Sequence, residues 1–114
     1  MTMISRLRGD HWVESKGVNL ANVTPPLLGL AIVETWERKP LLVVTHLKSG
    51  KAIIKMPTTD WYAAIQIAQS CCIDFDWARS GEEILADSEL DRVKPLIRAA
   101  EDKFAADQGL EVPR

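Results

Sequence analysis

The chain alternates apolar and polar positions most clearly between residues 28 and 56. The apolar runs there are rich in Val, Ile, Leu and Thr, and these residue types are enriched in β-strands. The runs are LGLAIVETWE, PLLVVTHLK and KAIIKM, and the segments ERKP and Ser49-Gly50 separate them. Glycine adopts a positive φ angle without a Cβ clash and so suits a tight hairpin turn. The pattern predicts a three-stranded antiparallel meander.

The register of this meander decides which side chains share a face. Two-residue turns at Arg38-Lys39 and Ser49-Gly50 would produce two faces of different character. The first face has the apolar content of a protein core and collects Leu30, Ile32, Trp36, Leu41, Val43, Thr45, Leu47, Ala52, Ile54 and Met56. The second face mixes apolar residues with a cationic corner and collects Ala31, Val33, Thr35, Leu42, Val44, His46, Lys48, Lys51, Ile53 and Lys55. Because the second face is too apolar for water alone, we expect a helix or another molecule to cover it.

The segments on either side of the meander predict one further strand and a helix. HWVES, at residues 11–15, is a candidate fourth strand, whereas we expect residues 1–8 to form a loose end. Residues 61–72 have helical periodicity, and Thr58-Thr59-Asp60 before them offers an N-cap. The positions of this helix that face the core are Trp61, Ala64, Ile65, Ala68 and Cys72.

The C-terminal third predicts further helix from Glu82 to about Gln108. Its apolar stripe consists of Leu90, Val93, Ile97, Ala100 and Phe104. Pro95 lacks the N–H group that a helix interior needs, so we expect two helices or one kinked helix. Gly109 is a candidate C-cap, and residues 110–114 form a predicted loose tail. The sequence thus predicts one α+β domain over residues 1–114, with a three- or four-stranded antiparallel meander followed by two or three helices.

Composition and charge restrict the class of protein. At 114 residues, 46% hydrophobic and 26% charged, the chain has the values of one ordinary globular domain. The longest apolar run, residues 25–33, is too short to cross a bilayer, and no apolar stretch of a secretory signal follows the first residues. We therefore expect a small soluble cytoplasmic protein with no membrane association.

The net charge of −2 conceals an asymmetry along the chain. Residues 1–57 hold eight Lys and Arg against four Asp and Glu, whereas residues 58–114 hold six against twelve. An acidic total disfavours non-specific binding of nucleic acid, since such binding needs a surplus of cations to displace counterions.

The residue types that carry chemistry do not form a local catalytic or metal-binding motif. Cys71 and Cys72 are adjacent, and a disulfide between neighbours is strained because their Cα atoms are only about 3.8 Å apart. We expect these cysteines to pack in the core, and Asp74 and Asp76 to face solvent while Ile73, Phe75 and Trp77 point inward. No GxGxxG, P-loop or GxSxG is present. We predict no cofactor, no metal and no catalytic residue.

The second face of the meander gives the leading functional hypothesis. We expect a non-catalytic protein-interaction or structural module that binds a protein partner or forms a homodimer, as an accessory or inhibitor protein of a mobile element would. The predicted interface residues are Val33, Leu42, Val44, His46, Lys48, Lys51, Ile53, Lys55 and Trp36. The competing expectation is that the C-terminal helix covers this face in a closed monomer.

Two other functions stay open at this point. A nucleic-acid-binding protein would place Arg38, Lys39, Lys48, Lys51 and Lys55 on phosphates. A small enzyme or ligand-binding protein would assemble its site from distant residues such as His46, Asp74, Asp76 and Cys71.

Overall fold

The computed structural model of the protein describes residues 2–37, 39–72 and 74–107. These residues form one antiparallel sheet in the strand order β1-β2-β3-β4-β5, followed by helices. The strands are β1 (Thr2–Arg8), β2 (His11–Asn19), β3 (Leu30–Glu37), β4 (Lys39–His46) and β5 (Ala52–Met56). The helices are α1 (Trp61–Cys72), α2 (Gly81–Leu85) and α3 (Leu90–Asp107), and a short 3-10 helix covers Leu20–Asn22. The predicted α+β class is confirmed.

The sheet has one more strand than the sequence pattern predicted. HWVES is a strand, as expected, and it begins the longer β2. Residues 2–8 are not a loose end, because they form β1 and pair along their whole length with β2. No clear alternation of apolar and polar residues marks β1 as a strand, because most of its side chains are exposed and Ile4 is its only buried residue.

The predicted register of β4 is wrong by one residue on both sides. Val44 lies opposite Ile32 of β3 and Ile54 of β5, whereas two-residue turns would have placed it opposite Val33 and Lys55. Because both shifts have the same size, β3 and β5 keep the side-chain orientations that were predicted for them. The side chains of β4 point to the opposite face from the predicted one, since a shift of one residue moves every side chain of a strand to the other face. Leu42, Val44 and His46 therefore share a face with Leu30, Ile32, Ile54 and Met56.

The connection between β4 and β5 explains one of these shifts. Residues 47–50 form a loop, which is closed by a hydrogen bond from the backbone N–H of His46 to the carbonyl of Lys51 (2.9 Å). The N–H of Gly50 donates back to the carbonyl of His46 (2.7 Å), and Gly50 has a φ angle of 71°. A four-residue loop therefore stands where a two-residue turn was predicted, and a β-bulge between Val44 and Thr45 shifts the pairing again.

The helices cover the face of the sheet that carries Leu42 and Val44. Ala64, Ala68 and Cys72 of α1 have no exposed surface, and Trp61 and Ile65 pack beside them, as the helical stripe predicted. Leu90, Val93 and Ile97 of α3 complete this core. Burial of each large aliphatic side chain here contributes about 1.5–3 kcal/mol.

The opposite face of the sheet is covered by the N-terminal hairpin of β1 and β2. Ile4 packs there against a second buried cluster, whose other members are Ala31, Val33, Leu41 and Val43. Gly17 permits this packing, because a Cβ at that position would lie 2.9 Å from Ile4 and would collide with the carbonyl oxygen of Ile32. The backbone N–H of Leu7 donates to the carbonyl of Gly50 (2.8 Å), which holds the far end of β1 against the β4–β5 loop. Both buried clusters are thus covered by the chain itself: the hairpin covers the one that contains Val33, and the helices, α3 among them, cover the one that contains Leu42 and Val44.

The C-terminal helical segment is interrupted at residues 86–89 and not at Pro95. Pro95 lies inside α3, where it removes one backbone hydrogen bond without ending the helix. Asp87 accounts for the actual break, because its carboxylate accepts a hydrogen bond from the N–H of Glu89 (2.9 Å) and its carbonyl accepts one from Leu90. The side chain of Phe104, the predicted cap Gly109 and the predicted tail 110–114 lie outside the described residues, as does Ile73. No helix within the described ranges is long and apolar enough to span a bilayer.

Candidate binding cleft

A cleft of about 640 Å³ opens between the β4–β5 loop, the start of β5, α2 and α3. Its floor is apolar and consists of Ile53, Trp77, Ile84, Leu90 and Ile97, and the exposed Leu85 extends the apolar lining onto the rim. Charged side chains stand around the rim, namely Lys51, Glu82, Lys94, Arg98 and Glu101. His46 and Ser49 close one end. The cleft therefore combines apolar surface with several charges that remain within reach of water.

His46 joins two of the segments that enclose the cleft. Its Nε2 lies 2.9 Å from the carbonyl oxygen of Trp77 and 2.8 Å from that of Arg79, while its Nδ1 lies 2.7 Å from the Ser49 hydroxyl and 3.3 Å from the Ser49 backbone nitrogen. Carbonyl oxygens only accept and a backbone N–H only donates, so Nε2 carries the proton and Nδ1 is the acceptor. This neutral ring holds the β4–β5 loop against the segment that precedes α2.

Residues 74–80 form a loop that is fixed by its aromatic side chains. Trp77 is buried, and its indole N–H donates to the carbonyl of Cys72 (3.0 Å) at the end of α1. The rings of Phe75 and Trp77 have centroids 4.6 Å apart, and the guanidinium of Arg79 lies 5.1 Å from the Phe75 centroid. The inward orientation predicted for Phe75 and Trp77 is confirmed. On the other side of the loop, Gly29 leaves room for the Trp77 backbone.

Helix α2 forms one wall of the cleft and is fixed by carboxylates at both ends. A capping box links Ser80 and Glu83, and the resulting hydrogen bonds from the Ser80 backbone and hydroxyl lower the pKa of Glu83. Asp87 accepts the N–H of Glu89 and also pairs with Arg79 at 2.9 Å. These contacts, in that order of importance, lower the pKa of Asp87.

Helix α3 runs beside the edge strand β5 and forms the other wall. The carboxylate of Glu101 accepts a hydrogen bond from the backbone N–H of Lys55 (3.0 Å), so α3 supplies a partner to the outer edge of the strand. The register of β5 passes from Ala52 to Ile54, which leaves Ile53 without a paired residue at the bulge. The half-buried side chain of Ile53 lines the cleft.

The rim cations are not neutralised by partners within the described residues. Lys51, Lys94 and Arg98 are exposed, and none of them forms an ion pair with another described residue. Lys94 and Arg98 follow each other by one turn of α3, which is about 6 Å along the helix axis. Lys51 stands just before β5 and also lines the cleft. The cleft lining thus carries three exposed cations beside an apolar floor.

Three of the predicted interface residues meet in this cleft. His46 lies at its end, Ile53 on its floor and Lys51 on its rim. Lys55 lies next to it through the backbone contact with Glu101, while Lys48 is exposed on the β4–β5 loop outside the cleft lining.

The remaining predicted interface residues lie elsewhere. Leu42 and Val44 are buried under the helices, and Val33 is buried under the N-terminal hairpin. Trp36 is 71% exposed, and it lies six residues along β3 from Leu30, the residue that pairs with His46. That separation is about 20 Å along the strand. The nine residues therefore do not form one surface, because the β4 register that grouped them is wrong.

The part of the site that α3 contributes was not predicted from the sequence. Leu90 and Ile97 belong to the predicted apolar stripe and pack in the core, but they also line the cleft. A signal was present, since Lys94 and Arg98 each follow at helical spacing and place charge beside the apolar stripe. No local feature of the sequence indicated that α3 would pack beside β5.

Cys71 and Cys72 lie behind the cleft at the end of α1. Cys72 is fully buried, as predicted, whereas Cys71 is half-buried. Their sulfur atoms are 3.7 Å apart, and the hydrogen bond between the thiols together with burial raises the pKa of Cys72. Within the described ranges, no group of three or more His, Cys, Asp or Glu side chains is arranged to hold a metal ion.

Comparison of the chain with protein-family models, curated proteins and solved structures finds no match.

Proposed function

We propose that the protein is a non-catalytic binding module that accepts a short segment of a protein partner in the cleft between β5, α2 and α3. The observation that carries this proposal is the combination of an apolar floor and a charged rim in a cleft of about 640 Å³. Ligand sites in proteins commonly measure about 300–1,000 Å³ and place a few polar groups around an apolar lining. Such a binding role suits an accessory or inhibitor protein.

The exposure of Leu85 favours a protein segment that extends over the rim, rather than a small molecule that the cleft encloses. This rim residue is 68% exposed, so a ligand that filled only the floor would leave its side chain in water. A protein segment that continues over the rim would cover Leu85 and gain about 25 cal/mol for each Å² of apolar surface removed from water.

The walls of the cleft are held in place before any partner binds. The ring of His46, the capping box of Ser80 and the ion pair between Arg79 and Asp87 each fix one part of the wall. A preformed site loses less conformational entropy on binding than one that must first become ordered.

The alternatives receive less support from the arrangement of the side chains. A homodimer through the predicted second face would need residues that are already covered, since the helices bury Leu42 and Val44 and the N-terminal hairpin buries Val33. Nucleic-acid binding would need the sheet lysines to act together, yet Lys48 is on the loop near Glu83, Lys51 is on the cleft rim and Lys55 is half-buried against α3.

The cytoplasm is the proposed location of this binding activity. Cys71 and Cys72 are free thiols, and their sulfur atoms are 3.7 Å apart. Free thiols persist in a reducing compartment.

Selection of peptides on the folded protein tests the cleft directly. A phage-displayed library of random twelve-residue peptides is selected on the wild-type protein, and enriched clones are then measured on two variants. Leu85→Lys places a charge in the cleft, whereas Leu96→Lys changes a leucine of α3 that is 50% exposed and lies outside the lining. We expect at least tenfold weaker binding to Leu85→Lys and unchanged binding to Leu96→Lys. Enriched clones that bind both variants equally, or a selection without cleft-dependent clones, would contradict the proposal.

A further inference from the structure

We infer that the partner segment is acidic and that its carboxylates lie along Lys94 and Arg98 of α3. This inference rests on the proposed function, because it specifies which kind of segment the cleft accepts. It follows from the positions of the rim charges.

The cations on the α3 side have no partner among the described residues. Lys94 and Arg98 are exposed and about 6 Å apart along the helix, which places two positive charges in a row above the apolar floor. Lys51, just before β5, adds a third cation to the cleft lining. Binding of a segment in the cleft would partly desolvate these charges, and carboxylates on the segment would offset that cost.

The two rim carboxylates, Glu82 and Glu101, repel acidic side chains of the partner and so restrict where those side chains can lie. Glu101 already uses one oxygen to accept the N–H of Lys55, and it lies at the opposite end of the α3 lining from Leu90. Glu82 stands on α2, on the opposite wall from Lys94. Like charges repel, so the acidic residues of the segment would face α3 between these two carboxylates, and its apolar residues would face the floor.

The length of the cleft along α3 favours an extended acidic segment over a fatty-acid-like molecule. The cleft lining on α3 runs from Leu90 to Glu101, a distance of about 16 Å along the helix axis. An extended chain covers that length with about five residues. A molecule with one anionic head group carries a single charge for Lys94 and Arg98, whereas a peptide with alternating acidic and apolar side chains can place one carboxylate beside each of them.

Two properties of the peptides selected above test the inference. The sequences of the cleft-dependent clones are compared with the unselected library, and we expect an excess of Asp and Glu over Lys and Arg. The strongest clone is then synthesised with a fluorescein label in two forms, one with its acidic residues and one with the corresponding amides. Fluorescence anisotropy should give a Kd at least tenfold lower for the acidic form, with the difference decreasing as salt is raised from 50 to 500 mM, since salt screens exposed charges.

Charge reversal on α3 provides the matched comparison. The double variant Lys94→Glu with Arg98→Glu should lose the preference for the acidic peptide, whereas Lys103→Glu, an exposed lysine of α3 outside the cleft lining, should keep it. Because all three side chains are exposed, far-ultraviolet circular dichroism should confirm that both variants keep the fold. Glu82→Gln should strengthen binding of the acidic peptide.

The outcomes separate this inference from the proposed function. Cleft-dependent clones that are neutral or basic, or equal Kd values for the acid and amide forms, would overturn the acidic assignment and leave the cleft as a peptide site. Failure to obtain any cleft-dependent clone would overturn both. Thermal stabilisation by sodium decanoate that Leu85→Lys abolishes, without peptide binding, would overturn both in favour of a small amphiphile.

Discussion

The Nε2 atom of His46 donates a hydrogen bond of 2.9 Å to the carbonyl oxygen of Trp77, and this contact joins residues 31 positions apart in the chain. His46 is only 3% exposed, so water cannot take the place of its ring as the hydrogen-bond donor to this carbonyl. Its position at the end of β4 makes the geometry of the cleft depend on the loop before α2. His46 thus connects the sheet to the candidate binding site.

Replacement of this ring by an apolar side chain should destabilise the protein. His46→Leu keeps a similar volume but leaves the buried carbonyl oxygen of Trp77 without its donor, and we expect a loss of about 1–3 kcal/mol in the free energy of unfolding. His11→Leu is the matched control, because the His11 side chain is 82% exposed, and its change should stay within about 0.5 kcal/mol. Urea unfolding followed by tryptophan fluorescence measures both. Equal stabilities of the two variants would show that the ring does not hold the loop.

Substitution of Val44 tests whether this face of the sheet is covered by the chain's own helices or by a second copy in a dimer. The side chain has no exposed surface, so Val44→Glu buries an unpaired charge and should cost about 4 kcal/mol or more. We expect an unfolded or strongly destabilised chain. Trp36→Glu, at another position of the predicted interface, changes an exposed side chain and should leave stability within about 0.5 kcal/mol. Circular dichroism and light scattering measure the outcome, and a folded Val44→Glu chain with half the wild-type mass would instead support the dimer.

The periodicity of the side chains predicted the elements well but not their register. The side-chain pattern of a strand or helix repeats over many positions, so α1 and the strands β3, β4 and β5 were visible without knowledge of their neighbours. The register depends on a few loop residues, and the hydrogen bonds that close residues 47–50 involve the His46 and Gly50 backbone, which no side-chain pattern reveals. One missed residue at each end of β4 was enough to place Leu42 and Val44 on the wrong face.

The candidate cleft was predicted only in fragments for a related reason. Lys51 and Ile53 were assigned to an interface, but on the assumption that they shared a face with Val44. Lys94 and Ile97 line the same cleft although they are more than forty positions later in the sequence, and they reach it only because α3 packs beside β5. Long-range packing of this kind leaves no spacing that a single sequence displays.

Gly17 should be required for the N-terminal hairpin to cover the sheet. Gly17→Ala places a Cβ against the Ile32 carbonyl and within 2.9 Å of Ile4, and we expect a loss of about 1–3 kcal/mol from overpacking. Lys16→Ala changes the exposed neighbour on the same strand and should have little effect. Hydrogen exchange of the β1 and β2 amides measures the hairpin separately from global unfolding by urea. Unchanged exchange in Gly17→Ala would contradict the close approach of Ile4 and Val33 across this position.

Acid should weaken the wall that α2 contributes to the cleft. The pKa of Asp87 lies below its ordinary value of 3.8, chiefly because the N–H of Glu89 donates to the carboxylate and also because Arg79 pairs with it. A carboxyl whose pKa is lower in the folded state stabilises that state above the ordinary value and loses this effect as the pH falls through the folded pKa. Wild-type protein should therefore have a higher urea midpoint than Asp87→Asn at pH 7, and the difference should shrink as the pH is lowered from about 4 to 2. Arg79→Gln should reduce the pH dependence in part, because the hydrogen bond from Glu89 remains. A difference between wild type and Asp87→Asn that is constant from pH 7 to pH 2 would show that the Asp87 carboxylate does not stabilise the break between α2 and α3.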